Sequence, residues 1–420
     1  MSSKGFRTLI ATAAVVSVLT AAACSSSSGQ SSSNSSTSST SSSAAVSTSS
    51  SATASGSAAA ATGSGVSPIA AERVAAFTAH SQPLAETTPV KIKKPLTIAY
   101  MQCVQTVCEQ IGQGLQEAAA AIGAKFLRFT HQDTPETVQQ AAVDALQANP
   151  SMILFSGDPT QWFAAQLKEM NERHIPTIAW SEPGGFTPPG ISANLLNSDD
   201  YYFLGVLEAD WVAAKYGAGS QTLLLNVPAY PVLQTAGEGY VNELKTVCPS
   251  CSETTLNFTV DDVVSGSVAT GVVAALQKQP KTKEIVGTFG GLITQQLAQA
   301  VHNAGFNSVK AISASGTSSN YQLIQQGDLQ EADIALPSGF LAWRAIDVGL
   351  RLIAGQSVSA SNSRPTLADI PGHPDIYAGG VPQEYVTKAQ MPSGAITSVN
   401  QLWSPSLDYQ AQFEKLWGVG

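Results

Sequence analysis

Residues 284–306 read EIVGTFGGLITQQLAQAVHNAGF, and this stretch decides the fold. Its apolar opening, extended by Lys283 to cover 283–289, has the length of a strand. The pair Gly290-Gly291 breaks it, and 293–304 follows as a helix. Working outward, the same unit recurs. Strands at 308–313 and 332–337 are each followed by a helix, at 319–326 and 340–354. Strands at 221–227 and 254–260 alternate with helices at 202–216, 232–247 and 265–278. An earlier series carries strands at 95–101, 125–129, 151–157, 175–181 and 191–195, with helices at 109–121, 135–147 and 160–173. Short apolar runs separated by crossovers of a dozen or more residues imply parallel strands covered by helices. The chain is therefore expected to be α/β, with two Rossmann-like lobes of parallel sheet joined by a multi-strand hinge. In such sheets ligands bind beyond the carboxyl ends of the strands, so two facing lobes put both sets of strand ends around one cleft.

The front of the chain has a different composition. Of all 420 residues 43% are hydrophobic but only 12% charged, and residues 8–71 contain no Lys, Arg, Asp or Glu. Lys4 and Arg7 precede a weakly apolar, Ala-rich run over 8–23, which reads as an export signal. Ala21, Ala22, Ala23 and Cys24 resemble a bacterial lipobox, with Ala21 where Leu is preferred. The resemblance implies a diacylated Cys24 as the mature N-terminus and a protein held on the extracytoplasmic face of the cell membrane. An ordinary signal peptide with an incidental cysteine is the alternative. Behind Cys24, 20 of the 36 residues over 25–60 are Ser, a composition that cannot offset its ordering entropy. The expected organisation is a leader over 1–23, a flexible tether over 24–88, lobe one from 89–198 and 338–360, and lobe two from 199–337. A hinge return and tail across the lobes complete it over 361–420.

The charge balance, 21 basic against 30 acidic residues for a net −9, disfavours a nucleic-acid partner. With Cys24 set aside, Cys103, Cys108, Cys248 and Cys251 remain. In an oxidising compartment two local disulfides, 103 to 108 and 248 to 251, are the simplest of three connectivities. A redox CxxC or half a zinc site is the alternative at 248–251. No metal or cofactor is expected.

From about residue 98 onward the chain resembles the type 1 periplasmic binding proteins of the ribose-binding/LacI-like group, the solute receptors of ABC importers. The stretch 284–306 matches the family's strand, polar cleft turn and helix. Residues 324–355, IQQGDLQEADIALPSGFLAWRAIDVGLRLIAG, match another segment element by element, and Asp200 with Gly205 matches a crossover motif. The resemblance implies a monomeric receptor with a small-molecule ligand and an ABC permease as partners. A lipid-anchored sensor for a signalling receptor has the same architecture, and a secreted hydrolase is a third reading. No HExxH, Walker sequence, GxGxxG or nucleophile elbow supports an enzyme.

The departures from that family lie where a ligand would sit. Ala236 stands in the position of a sugar-binding Arg, Gly290-Gly291 replace Asn-Asp, Ser315 replaces an Asp, and Tyr201 takes the place of the crossover Asn. Charged partners for adjacent hydroxyls are thus missing, which predicts a neutral or weakly polar ligand larger than a pentose. Candidate ligand-binding residues at strand ends are Gln102, Gln105, Asp158, Trp180 and Glu182 in lobe one. In lobe two they are Tyr230, Tyr240, Gly291, Ser315, Thr317 and Phe340. Trp180 either stacks on ligand or packs in the lobe. Asp158 is either an acceptor or a helix cap, and Glu182 either an acceptor or a loop acid.

Overall fold

The computed structural model describes residues 65–78, 87–358, 381–404 and 408–420. The leader, Cys24 and the Ser-rich segment over 25–60 lie outside those residues. Lobe one is a five-stranded parallel sheet of order β2-β1-β3-β4-β5. Its strands are β1 (Thr97–Gln102), β2 (Lys125–Thr130), β3 (Met152–Ser156), β4 (Thr177–Trp180) and β5 (Ala193–Asn194). Helices α2 (Thr106–Ala121), α3 (Pro135–Gln147), α4 (Ala164–Glu172) and α11 (Ser338–Ala354) cover it.

Lobe two repeats the order with its own strands. β6 (Gln221–Asn226), β7 (Ser252–Asn257), β8 (Thr282–Gly287), β9 (Lys310–Ala314) and β10 (Gln330–Ala335) are parallel. An antiparallel β11 (Glu384–Thr387) closes the far edge of the sheet. Its helices are α5 (Ser198–Lys215), α6 (Pro231–Val247), α7 (Val260–Ser265), α8 (Val268–Lys278), α9 (Gln295–Asn303) and α10 (Ser318–Gln326). In each lobe the strand order reverses beside the first strand, at β1/β3 and β6/β8, where an open sheet leaves its ligand crevice.

The strand expected at 254–260 begins and ends earlier, as β7. Thr259 caps α7, its hydroxyl accepting from Asp262 N at 3.1 Å while Asp262 Oδ2 accepts from Thr259 N at 2.8 Å, so the chain turns helical at Val260. Two glycines fix the pairing of α5 with α6. A Cβ on Gly205 would overlap the Ala236 carbonyl, and one on Gly239 would overlap the Tyr202 carbonyl, so only glycine lets these helices approach this closely.

A larger correction concerns the N-terminal segment. Residues 65–78, expected within the flexible tether, include helix α1 (Pro68–Ala76), capped by Ser67, and pack on lobe two. Arg73 is fully buried between Asp210 of α5 and Glu243 of α6, with Arg73 Nε donating to Asp210 Oδ2 at 2.6 Å. Phe77 packs edge-on against Phe203, and its carbonyl accepts from Tyr385 N of β11 at 2.7 Å. Composition concealed this, because one Ala-rich turn looks like the tether before it and its countercharges come from residues more than a hundred positions away. The tail, α12 (Tyr409–Trp417), docks on α11 through Trp417 stacked on Trp343, ring centres 5.2 Å apart.

Candidate functional site

The carboxyl ends of both sheets converge on one cavity of about 80 Å³. Lobe one lines it with Gln105, Asp133, Asp158, Trp180 and Ser181, and lobe two with Tyr201, Tyr230, Leu233, Phe289 and Ser315. A second space of about 420 Å³ shares Gln105, Val107, Phe289 and Ser315 with the first and adds Gly291, Thr317 and Asn320. Several of the lining loops turn through the left-handed region at, or within three residues of, the ends of their strands. Asp133 follows β2 at φ 55°, Gly157 follows β3 at 69°, Ser181 follows β4 at 62° and Ser315 follows β9 at 55°. For the non-glycine residues this conformation is costly, and it aims short polar side chains into the cleft instead of letting the strand run on.

Acidic groups dominate the polar wall. His131 is completely enclosed, with Nδ1 3.2 Å from Asp133 Oδ1 and Nε2 3.2 Å from Asp158 Oδ2. Burial opposes charge on the imidazole, but the two carboxylates outweigh it and lift the His131 pKa to about 9. Asp133 also accepts from Tyr230 OH at 3.0 Å, a hydrogen bond that crosses from lobe two to lobe one. Burial pushes Asp133 upward, yet the bonds to His131 and the amide of Val104 hold it below the usual carboxylate range. For Asp158 burial prevails over His131 and the pKa is raised. The three residues bring ligating atoms within 4.8 Å of one another. Both ring nitrogens face a carboxylate, so the imidazolium itself is their countercharge.

Three polar atoms in the wall have no aligned hydrogen-bond partner among the described residues: Trp180 Nε1, Ser315 Oγ and Asp158 Oδ2, the last held only by its 3.2 Å ion pair with His131 Nε2. Trp180, 1% exposed, leaves its indole Nε1–H unpaired, and Ser315, 6% exposed, leaves its hydroxyl unpaired. A buried unpaired group of this kind costs about 1 to 3 kcal/mol, which a ligand able to bond it restores. The Trp180 ring is held by Tyr100, 5.6 Å away, and Tyr201 is held by its hydroxyl's 2.7 Å bond with Ser181 Oγ. Asp333, beneath the Ser315 turn, accepts from Gly316 N at 2.9 Å and Ser313 Oγ at 2.8 Å. Burial raises the Asp333 pKa to about 7 despite those bonds. A Cβ on Gly316 would run into that carboxylate, so glycine is required there.

Of the residues singled out in the sequence, Gln105, Asp158, Trp180, Tyr230 and Ser315 meet in the cavity, while Gly291 and Thr317 lie in the adjoining space. Four others are elsewhere. Tyr240 is ten residues beyond Tyr230 along α6, about 15 Å at the helical rise, and its hydroxyl bonds Thr222 in the core of lobe two. Phe340 faces the tail, against Tyr409 and Phe413. Gln102 turns to Arg128, whose Nη1 donates to it at 3.2 Å. Glu182 is buried behind Asp158, its carboxyl pushed well above the normal range by burial and then by the Asp158 charge. Asp158 does not cap the helix after it, since no side chain caps that turn. His131 and Asp133 escaped the sequence reading, although they lie between a predicted strand and a predicted helix at a cleft-facing strand end.

A family model for the periplasmic binding protein domain matches residues 102–357. The chain belongs to the periplasmic binding protein family. Among solved structures, it is similar to a 5-methylthioribose transporter solute-binding protein from Thermotoga lettingae TMO, in complex with 5-methylthioribose. The TM-score is 0.60 at 17% identity, covering 78% of this chain and 100% of that one. A solute-binding protein from Agrobacterium vitis bound with alpha-D-tagatopyranose gives 0.58 at 17%, covering 74% and 100%. One from Actinobacillus succinogenes 130z with D-allose gives 0.58 at 16%, covering 71% and 99%. At these identities the likeness establishes the fold, which is the type 1 arrangement of the family. No curated protein matches the chain. This periplasmic binding protein has two local cysteine bridges, Cys103 to Cys108 and Cys248 to Cys251, with Cα separations of 5.7 and 5.3 Å. The first lies against the cavity. No helix among the described residues is long and apolar enough to cross a membrane.

Proposed function

We propose that the protein is a membrane-anchored extracytoplasmic solute receptor. It closes its two lobes on a small carbohydrate-like or cyclic molecule and delivers it to an ABC permease. The observation that carries this reading is the pair of unpartnered buried groups, Trp180 Nε1 and Ser315 Oγ, contributed by opposite lobes to one cavity. A small molecule bonding both groups at once would offset their desolvation and tie the two lobes together. Closure is a hinge motion whose closed state is favoured by ligand contacts made to both lobes at once. Tyr230 to Asp133, and Gln110 to Ser318 Oγ, are the bonds that latch it. Anchoring through Cys24 and docking on a permease belong to this proposal and are supported by the lipobox resemblance and by the family.

The test is a calorimetric screen of sugars and cyclic non-sugar metabolites, followed by titration of variants with the best ligand. Trp180→Ala should weaken binding by about 1 to 3 kcal/mol through lost aromatic area, and Ser315→Ala by less. Unchanged affinity in both variants would remove the ligand from this cavity.

A further inference from the structure

The polar wall of the cavity sets two carboxylates, Asp133 and Asp158, against one enclosed imidazole, His131. Among the described residues, Asp133 and Asp158 are the charged ones lining the two adjoining spaces. His131, enclosed between them, can offset one carboxylate, not both. Arg128, on β2 of the same sheet, is engaged elsewhere, donating to Gln102 Oε1 at 3.2 Å, the Gly112 carbonyl at 2.9 Å and Gln116 at 3.0 Å. Asp158 is 2% exposed and its Oδ2 has no aligned hydrogen-bond donor among the described residues. A second, independent feature surrounds these acids: Trp180, Tyr201, Tyr230 and Phe289 line the same cavity. Carboxylates and aromatic rings share one preference, since a cation is drawn both to the anion and to the negative faces of the rings.

We propose that the cleft takes a ligand carrying one positive charge on nitrogen, such as an amino sugar or a small cyclic or alkyl ammonium compound. Asp158 and Asp133 are its countercharge and the aromatic wall encloses it. The inference rests on the receptor reading above and sharpens its ligand class. It also moves the charge to residues 133 and 158, outside the positions 236, 290, 291 and 315 that suggested a neutral ligand. The raised pKa of Asp158 agrees, because burial penalises its charged form until a cation arrives. An organic ammonium is favoured over a metal ion because the ring nitrogens of His131 both face carboxylates and the remaining walls are aromatic and apolar, which suits a weakly hydrated cation.

The experiment uses matched pairs on the full-length protein: glucosamine against glucose, and choline against its neutral carbon isostere 3,3-dimethylbutan-1-ol. Manganese and zinc ions are titrated separately. The charged member of at least one pair should bind tenfold or more tighter than its neutral twin. Asp158→Asn should bring that ratio near one. Should Asp158→Asn not fold, the wild-type ratios decide alone. Equal or tighter binding of the neutral members overturns the inference and keeps the receptor. Tight metal binding that a chelator abolishes, with no preference for either ammonium compound, overturns it in favour of a metal site. Failure of every probe, together with no small molecule released when host-purified protein is denatured, removes the receptor reading and this inference with it.

Discussion

Arg73→Met removes the guanidinium that ties the N-terminal helix to lobe two while keeping an unbranched stem of similar reach. In the native protein Arg73 and Asp210 are fully buried and Glu243 is nearly so, and the guanidinium bonds both carboxylates. Losing one partner of a buried ion pair costs about 3 to 5 kcal/mol, because the remaining charge keeps its desolvation penalty without the attraction that offset it. Here two buried carboxylates on adjacent helices lose the same partner, so that range applies to the substitution. For a lobe of this size a loss of 1 kcal/mol lowers the melting temperature by roughly 2 to 4 °C. The variant should therefore melt about 10 °C or more below wild type in a thermal scan followed by circular dichroism. Deleting residues 65–78 should do at least the same, since it also uncovers Phe203. A melting temperature within 2 °C of wild type for both proteins would mean that α1 is not docked and that the tether extends to lobe one as composition suggested.

The remaining predictions concern the cleft and its frame. Because the folded pKa of His131 lies near 9 and its ordinary value is 6.5, its contribution is fully present below pH 6.5 and is lost as pH rises through about 9. Urea unfolding at pH 6 and pH 10 should show wild type losing roughly 3 kcal/mol more than His131→Asn across that window, and parallel losses would contradict the ion-paired imidazolium. Tyr230→Phe removes the Tyr230–Asp133 bond between the lobes with little change in volume. It should weaken ligand binding by about 1 kcal/mol, mainly through faster release, and a slower release rate would argue against the latch. Gly205→Ala should destabilise lobe two by several kcal/mol, because its methyl meets backbone that cannot yield, whereas Gly185→Ala, with no atom nearby, should be nearly silent. Non-reducing peptide maps of secreted protein should contain only the 103 to 108 and 248 to 251 links; free thiols at those positions would refute the bridges.

The alternation of strand and helix was legible because apolar runs and helical spacing are local properties, and ten strands could be placed before any contact was known. The eleventh, Glu384–Thr387, was not, because a four-residue edge strand has no crossover helix to announce it. Helix α1 was hidden for the same reason that its stability is nonlocal: a single Arg in an Ala-rich turn becomes structural only once α5 and α6 supply Asp210 and Glu243. At the site, the rule that strand ends face the cleft located Trp180, Tyr230 and Ser315. It failed for Tyr240, midway along α6, and for Phe340, which sits in the first turn of α11 but packs on Tyr409 and Phe413 of the tail. His131 and Asp133 meet that rule too, but no sequence spacing joins them to Asp158. Their partnership is made by the adjacency of β2, β1 and β3 in the sheet, which residue order does not display.

The central claim is that this cavity holds a small molecule between the lobes. The direct measurement is mass spectrometry of what is released when protein purified from its own host, without ligand added, is denatured, with Trp180→Ala purified in parallel. The account predicts a single small molecule released in near-stoichiometric amount from wild type and much depleted from the variant. No released molecule, or the same amount from both proteins, would contradict it.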